Sequence, residues 1–135
     1  MYPNTRIDKI SLINFKNHLN TCLKDLSSFV VLNGNNGSGK TNILEAISLF
    51  SPGRGIKNSR FEEMPNKDER QKNFEIKINI KYESGDIELF RSFSSVEKNK
   101  NFISADNEKI TNFQLLEFIN ILWITPIMEK ILIQS

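Results

Sequence analysis

The stretch from Phe29 to Phe50 reads FVVLNGNNGSGKTNILEAISLF. A short apolar run, Phe29 to Leu32, meets a glycine-rich loop. Thr41 to Phe50 then sets Ile43, Leu44, Ile47 and Phe50 at helical spacing. An apolar run of that length without alternation reads as a strand buried on both faces. The loop fits G-x-x-x-x-G-K-[ST] from Gly34 to Thr41, and the strand–loop–helix order is the context that gives this pattern its meaning.

Each position in the loop has a physical task. Gly34 and Gly39 allow backbone angles that a side chain would forbid. Gly37 lets the main chain come close to a phosphate. The amides from Gly34 through Asn35, Asn36, Gly37, Ser38 and Gly39 form an anion nest. The helix that starts near Lys40 adds its unpaired N–H groups and the positive end of its dipole. Lys40 is expected to reach the β- and γ-phosphates. The Thr41 hydroxyl is expected to join Mg²⁺, which keeps waters and phosphate oxygens as its other ligands. The ligand is a nucleoside triphosphate, with ATP the first choice, although the loop does not specify the base.

Outward from the loop, Pro52, Gly53 and Gly55 end the helix. KISLINF reads as a first strand, with Ile10 and Leu12 on one face. Residues 56 to 72 are polar and without pattern, which suggests a surface excursion. FEIKINIKY then alternates, with Ile76, Ile78 and Ile80 on one face and Glu75, Lys77, Asn79 and Lys81 on the other. After the turn ESGD, Ile87 and Leu89 continue the pattern. This is an antiparallel hairpin with one wet face. Asn101 to Ile110 fits one or two short strands around ADNE. Phe113 to Ile119 fits a helix capped by Thr111 or Asn112. NILWI reads as a last buried strand with Trp123 in the core, and MEKILI as the start of another helix. The reading is one domain over 1–135: a P-loop region at 1–60, an antiparallel β lobe at about 73–110, and a helix and strand at 111–135.

Composition agrees with an ordinary folded domain. The chain has 135 residues, 39% apolar and 25% charged, with a net charge of +2. That balance gives no argument for nucleic acid by itself. No window reaches the ~18 consecutive apolar residues of a membrane span, and Met1 to Ile10 has no signal-peptide core. Cys22 is the only cysteine, so no internal disulfide can form. These features point to the cytoplasm and to no membrane role. Cys22 is expected to be a small buried or half-buried residue. His18, the sole histidine, is expected as a polar residue at a strand end rather than a metal ligand. The basic clusters at Lys57–Arg60 and Glu97–Asn101 are expected as solvated loops.

LINFKNH before the loop, NGNNGSGKTNILEAISL across it, SPGRGIK after it and the later LWITP together resemble the N-terminal segment of the RecF family. That family belongs to the ABC-type ATPases, which also include the SMC heads. The resemblance covers nearly the whole chain. It implies an α/β P-loop NTPase of the ABC-ATPase head type with an antiparallel β lobe. It implies ATP and Mg²⁺ as cofactors, and DNA, single-stranded or gapped, as a partner together with recombination mediator proteins. It also implies a homodimer formed around ATP in the full-length family. Lys16 stands where the family usually has Arg, which loses the planar fork but keeps the charge. In related heads that position and its neighbour lie near the nucleotide, so Lys16 and Asn17 are candidate contacts. Arg54 and Arg60, in the glycine-rich stretch after the helix, have no assigned role.

An ABC-type ATPase also needs an apolar strand ending in Asp-Glu and a signature segment. FVVL runs into the P-loop, LWIT ends in Pro126, and Glu62-Glu63 follow no apolar run. No catalytic residue is therefore assigned. The chain is expected to be a cut-short, non-hydrolysing part of such a head, with an apolar strand edge left bare. Two other readings stay open: a non-enzymatic nucleotide-binding partner module, and the cut-short head of another SMC-like or OLD-like ATPase.

Overall fold

The computed structural model describes residues 5–34, 39–51, 60–68, 72–96 and 100–123. Six strands form one antiparallel sheet: β1 (Arg6–Phe15), β2 (His18–Leu23), β3 (Asn73–Tyr82), β4 (Gly85–Ser94), β5 (Lys100–Ala105) and β6 (Glu108–Lys109). Their spatial order is β2-β1-β3-β4-β5-β6. The strands that flank the glycine loop in sequence and those of the later lobe thus share a single sheet.

The hairpin of β3 and β4 is where alternation is cleanest. Phe74, Ile76, Ile78 and Ile80 alternate inward with Leu89 and Phe93 opposite, while Glu75, Lys77 and Lys81 face water. Gly85, at φ 146°, accommodates the turn. The β5–β6 turn places Asp106 and Asn107 at φ 47° and 69°, left-handed positions that Asp and Asn tolerate.

One face of this sheet is covered by helix α1 (Lys40–Ser48) and by a 3₁₀ turn at Phe61–Glu63. Ile43, Ala46, Leu49 and Phe50 meet Ile10, Leu12, Phe15 and the inward row of β3 and β4 in one cluster. Phe61 stacks against Phe74 and Phe93 at 6.5 and 6.2 Å between ring centroids. Residues 60–68 are only partly the surface excursion that their polarity suggests: Arg60, Glu62, Glu63, Lys67 and Asp68 are exposed, but Phe61 packs inward. Met64, Pro65 and Asn66 are buried. The Lys16 amide donates to the Met64 carbonyl at 2.7 Å, and the Asn66 amide to the Asn14 carbonyl at 2.8 Å. Asn14 has φ 54°, which breaks the alternation of β1 and turns Phe15 inward beside Leu12.

Phe29 to Leu32 does not form a strand. Phe29 and Val31 are 81% and 73% exposed. A strand buried on both faces needs a neighbour on each side, and among the described residues no strand runs beside this segment. Asn120 to Trp123 likewise carries no strand, with Leu122 at 98% exposure and Trp123 half-buried rather than core. The rest of that expected strand and the MEKILI helix fall outside the described residues. Cys22 is exposed, because β2 is an edge strand and its outward residues lack a covering layer. The expected helix at 113–119 is shorter, a 3₁₀ turn at Gln114–Glu117. It starts with a reciprocal cap: the Gln114 amide donates to Thr111 Oγ1 at 3.2 Å, and the Thr111 amide to Gln114 Oε1 at 2.8 Å.

Candidate functional site

Of the eight loop positions, Gly34, Gly39, Lys40 and Thr41 are described; Asn35, Asn36, Gly37 and Ser38 lie outside the described residues. Gly39 caps α1 with φ 94° and ψ 4°, and no side chain caps the helix's first amides. A left-handed angle at this point requires glycine or a strained substitute. Lys40 opens the helix and sends its ammonium back to the Gly34 carbonyl at 2.5 Å. The lysine thus spans the loop from end to end. A phosphate oxygen carries a full charge, so it is a stronger acceptor than a peptide carbonyl and can displace it. Thr41 is exposed at the helix start. Its hydroxyl suits a cation that keeps most of its waters. The residues present therefore fit a triphosphate with Mg²⁺. Among the described residues, no group of three His, Cys, Asp or Glu side chains is placed to hold a metal ion by itself.

The turn between β1 and β2 lies directly against this helix. Three successive residues grip it. Lys16 Nζ lies 3.6 Å from the Glu45 carboxylate, the Asn42 amide donates to Asn17 Oδ1 at 2.9 Å, and His18 Nε2 meets the Gly39 carbonyl at 2.9 Å. The partners at 39, 42 and 45 are spaced by three along the chain, so they line one side of the helix. The turn itself is fixed from behind: Asn66 Nδ2 donates to the Lys16 carbonyl at 2.8 Å, and Lys16 holds a φ of 52°. A cleft of about 480 Å³ opens beside the grip, with Lys16, Asn17 and Asn42 on one side and Asn66 and Asp68 on the other. Lys16 is thus paired within the fold, which its reading as a candidate contact did not foresee. His18 is buried at the strand's start and bonded at both ring nitrogens, as a polar residue there should be.

Two charged residues escaped the sequence reading. Glu45 is fully buried on α1, and nothing local marks it, since its partner Lys16 is far away in sequence. Arg91 is only 2% exposed on β4. Its Nη1 donates to the Leu49 carbonyl at 2.7 Å, and its guanidinium lies 5.0 Å from the Phe61 ring centroid. Burial lowers its pKa to about 10. The signal for Arg91 was present: Ile87, Leu89, Arg91 and Phe93 alternate, which places the arginine on the inner face. Arg60 is exposed, and Lys100 and Asn101 are exposed at the start of β5. Arg54, Lys57 to Ser59 and Glu97 to Asn99 lie outside the described residues. Among the described residues, no helix is long and apolar enough to cross a membrane.

Comparison with known proteins gives this geometry its relatives. The family model described as an AAA ATPase domain matches residues 6–131. The DNA replication and repair protein RecF of Rickettsia prowazekii (strain Madrid E) is 36% identical over 132 residues, 98% of this chain and 36% of that protein. RecF of Rickettsia felis (strain ATCC VR-1525 / URRWXCal2) is 36% identical over 128 residues, 95% of this chain and 34% of that protein. The chain spans about a third of the length of these relatives. Among solved structures, the recombination mediator protein RecF with ATP superposes at a TM-score of 0.70 and 23% identity, over 82% of this chain and 29% of that one. A structure from work on ATP-driven dimerization and DNA-stimulated activation of SMC ATPases gives 0.70 at 19% identity, over 96% of this chain and 98% of that one. The SMC head domain from Thermotoga maritima gives 0.58 at 17% identity, over 83% of this chain and 41% of that one. The fold is that of the RecF and SMC heads, and its described part is the antiparallel sheet with the helix after the loop packed on it.

Proposed function

The chain belongs to the AAA ATPase domain family, and from that premise we propose that it is the ATP-binding part of a RecF-like head that acts on DNA in replication and recombinational repair. The observation that carries the nucleotide reading is the Lys40 ammonium reaching back to the Gly34 carbonyl, across a loop that ends in left-handed Gly39. In this reading the amides from Gly34 to Lys40, including those of Asn35, Asn36, Gly37 and Ser38, hold the phosphates. Lys40 would neutralise the β- and γ-phosphates, and the Thr41 hydroxyl would be a ligand to Mg²⁺. Bound Mg–ATP would supply the charge and the phosphoryl group; the chain's own residues bind and orient it.

Hydrolysis needs more than this. Phosphoryl transfer rests on positioning of the water and on charge stabilisation. In the sequence given, no apolar run ends in Asp-Glu, and our reading for this polypeptide alone is binding without turnover. Phosphate release that requires Mg²⁺ and disappears in Lys40→Ala would contradict that. The DNA role draws its support from the 36% identity to proteins named for DNA replication and repair. Single-stranded or gapped DNA, mediator proteins, an ATP-dependent pair of heads and a cytoplasmic location belong to the same reading. It is tested by retention of a gapped duplex with and without ATP. Retention that rises with ATP supports it, and retention indifferent to ATP, or none, removes the DNA half.

A further inference from the structure

His18 is buried between the edge of the sheet and the end of the phosphate loop, and both of its ring nitrogens are engaged. Nε2 lies 2.9 Å from the Gly39 carbonyl, and Nδ1 lies 2.8 Å from Thr21 Oγ1. A carbonyl can only accept, so Nε2 carries the proton in this contact. In the neutral ring Nδ1 is then the acceptor, and the Thr21 hydroxyl donates to it. The Gly39 carbonyl thus sets the tautomer, and the Thr21 hydroxyl, which can donate or accept, is compatible with it and steadies the ring. The Gly39 carbonyl also accepts the Ile43 amide at 3.1 Å, the first hydrogen bond of α1. Its two lone pairs are thus divided between the helix and the histidine. The fit is tight: a β-carbon placed on Gly39 would stand 2.5 Å from His18 Nε2.

These contacts fix the peptide that joins the loop to the helix. Its orientation sets where the amides of Lys40 and Thr41 point. We infer that His18 is a positioning residue for the phosphate loop, holding the Gly39 peptide through Nε2 with Thr21 as its support. The inference rests on the reading that this loop binds a triphosphate. It assigns a task to a side chain that acts through the Gly39 carbonyl.

The test compares His18→Gln, whose amide N–H can still reach the carbonyl, with His18→Phe, which fills the space without a donor. Two readouts separate the inference from the reading beneath it. The first is amide hydrogen exchange at Ile43 in nucleotide-free protein. The expected result is exchange roughly three- to tenfold faster in His18→Phe, the worth of one hydrogen bond. Exchange in β3 and β4 should be unchanged, and His18→Gln should stay near wild type. The second readout is the Kd for Mg–ATP, raised by a similar factor in His18→Phe and not in His18→Gln. Equal exchange and equal affinity in all three proteins would overturn the inference while leaving nucleotide binding intact. Equal losses in both variants would also overturn it, because the space and not the donor would then matter. If wild type binds no ATP but exchange still separates the variants, the nucleotide reading falls while the hold of His18 on the loop stands.

Discussion

Lys16 Nζ stands 3.6 Å from the carboxylate of Glu45, which is 0% exposed, and it joins the β1–β2 turn to the helix that follows the phosphate loop. A carboxylate with no access to water depends on its partner far more than the half-buried lysine does. Lys16→Ala should therefore destabilise the fold by roughly 1–3 kcal/mol, less than for a wholly buried pair because water still reaches the lysine. Glu45→Gln should cost less than Lys16→Ala, since the lysine can hydrate. Urea unfolding of both variants checks the order, and equal losses would mean that the burial of Glu45 is compensated elsewhere.

Arg91 predicts a pH effect. Burial holds its pKa at about 10, below the ordinary arginine value, so the native state releases this proton before the unfolded chain does. The cost of burying the charge is then fully present below about pH 10 and is relieved as pH rises above that value. Arg91→Met removes the charge together with its bond to Leu49 and should fall within about 1 kcal/mol of wild type at neutral pH. Arg91→Lys keeps a buried charge but loses the fork and the stacking on Phe61, and should be the less stable of the two variants. Above pH 10, wild type should gain stability relative to Arg91→Met, a comparison in which the other titrating groups cancel.

Gly39→Ala should be costly for two separate reasons. The left-handed φ of 94° disfavours any side chain, and the new methyl would meet His18 Nε2 and Asn17 Oδ1 at 2.5 and 2.7 Å. A loss of roughly 1–3 kcal/mol is expected, with nucleotide affinity falling as well. Thermal melts and a Mg–ATP titration check both.

The exposed run at Phe29 to Val31 should promote self-association, because it presents apolar side chains and no strand is paired with its backbone among the described residues. Val31→Lys should raise the concentration at which light scattering begins and leave the melting temperature unchanged. A drop in melting temperature would mean that Val31 packs inside the fold.

The sequence was most legible where one chain segment carries its own pattern. The alternation of Ile76, Ile78 and Ile80 fixed the β3 face, and ESGD fixed its turn, because the hairpin partner is adjacent in sequence. The helix after the loop was readable for the same reason. FVVL and NILW misled because an apolar run forms a strand only beside neighbouring strands, and its own residues do not reveal whether those are there. Met64 and Asn66 looked like loop residues; their partners Lys16 and Asn14 lie about fifty positions earlier. At the site, the glycines, Lys40 and Thr41 were legible as a motif. The grip of Lys16, Asn17 and His18 on residues 45, 42 and 39 was not, since it exists only once the sheet brings the turn onto the helix.

Everything proposed for this protein turns on whether the loop from Gly34 to Thr41 holds the phosphates of ATP. The most direct measurement is an equilibrium titration of the purified chain with Mg–ATP by calorimetry, beside Lys40→Ala. Wild type should bind one ATP per chain, with affinity lowered when Mg²⁺ is chelated, and Lys40→Ala should show at least a tenfold weaker Kd, the loss expected when a charge-assisted contact is removed. Binding that is absent in wild type, or unchanged by Lys40→Ala, would contradict it.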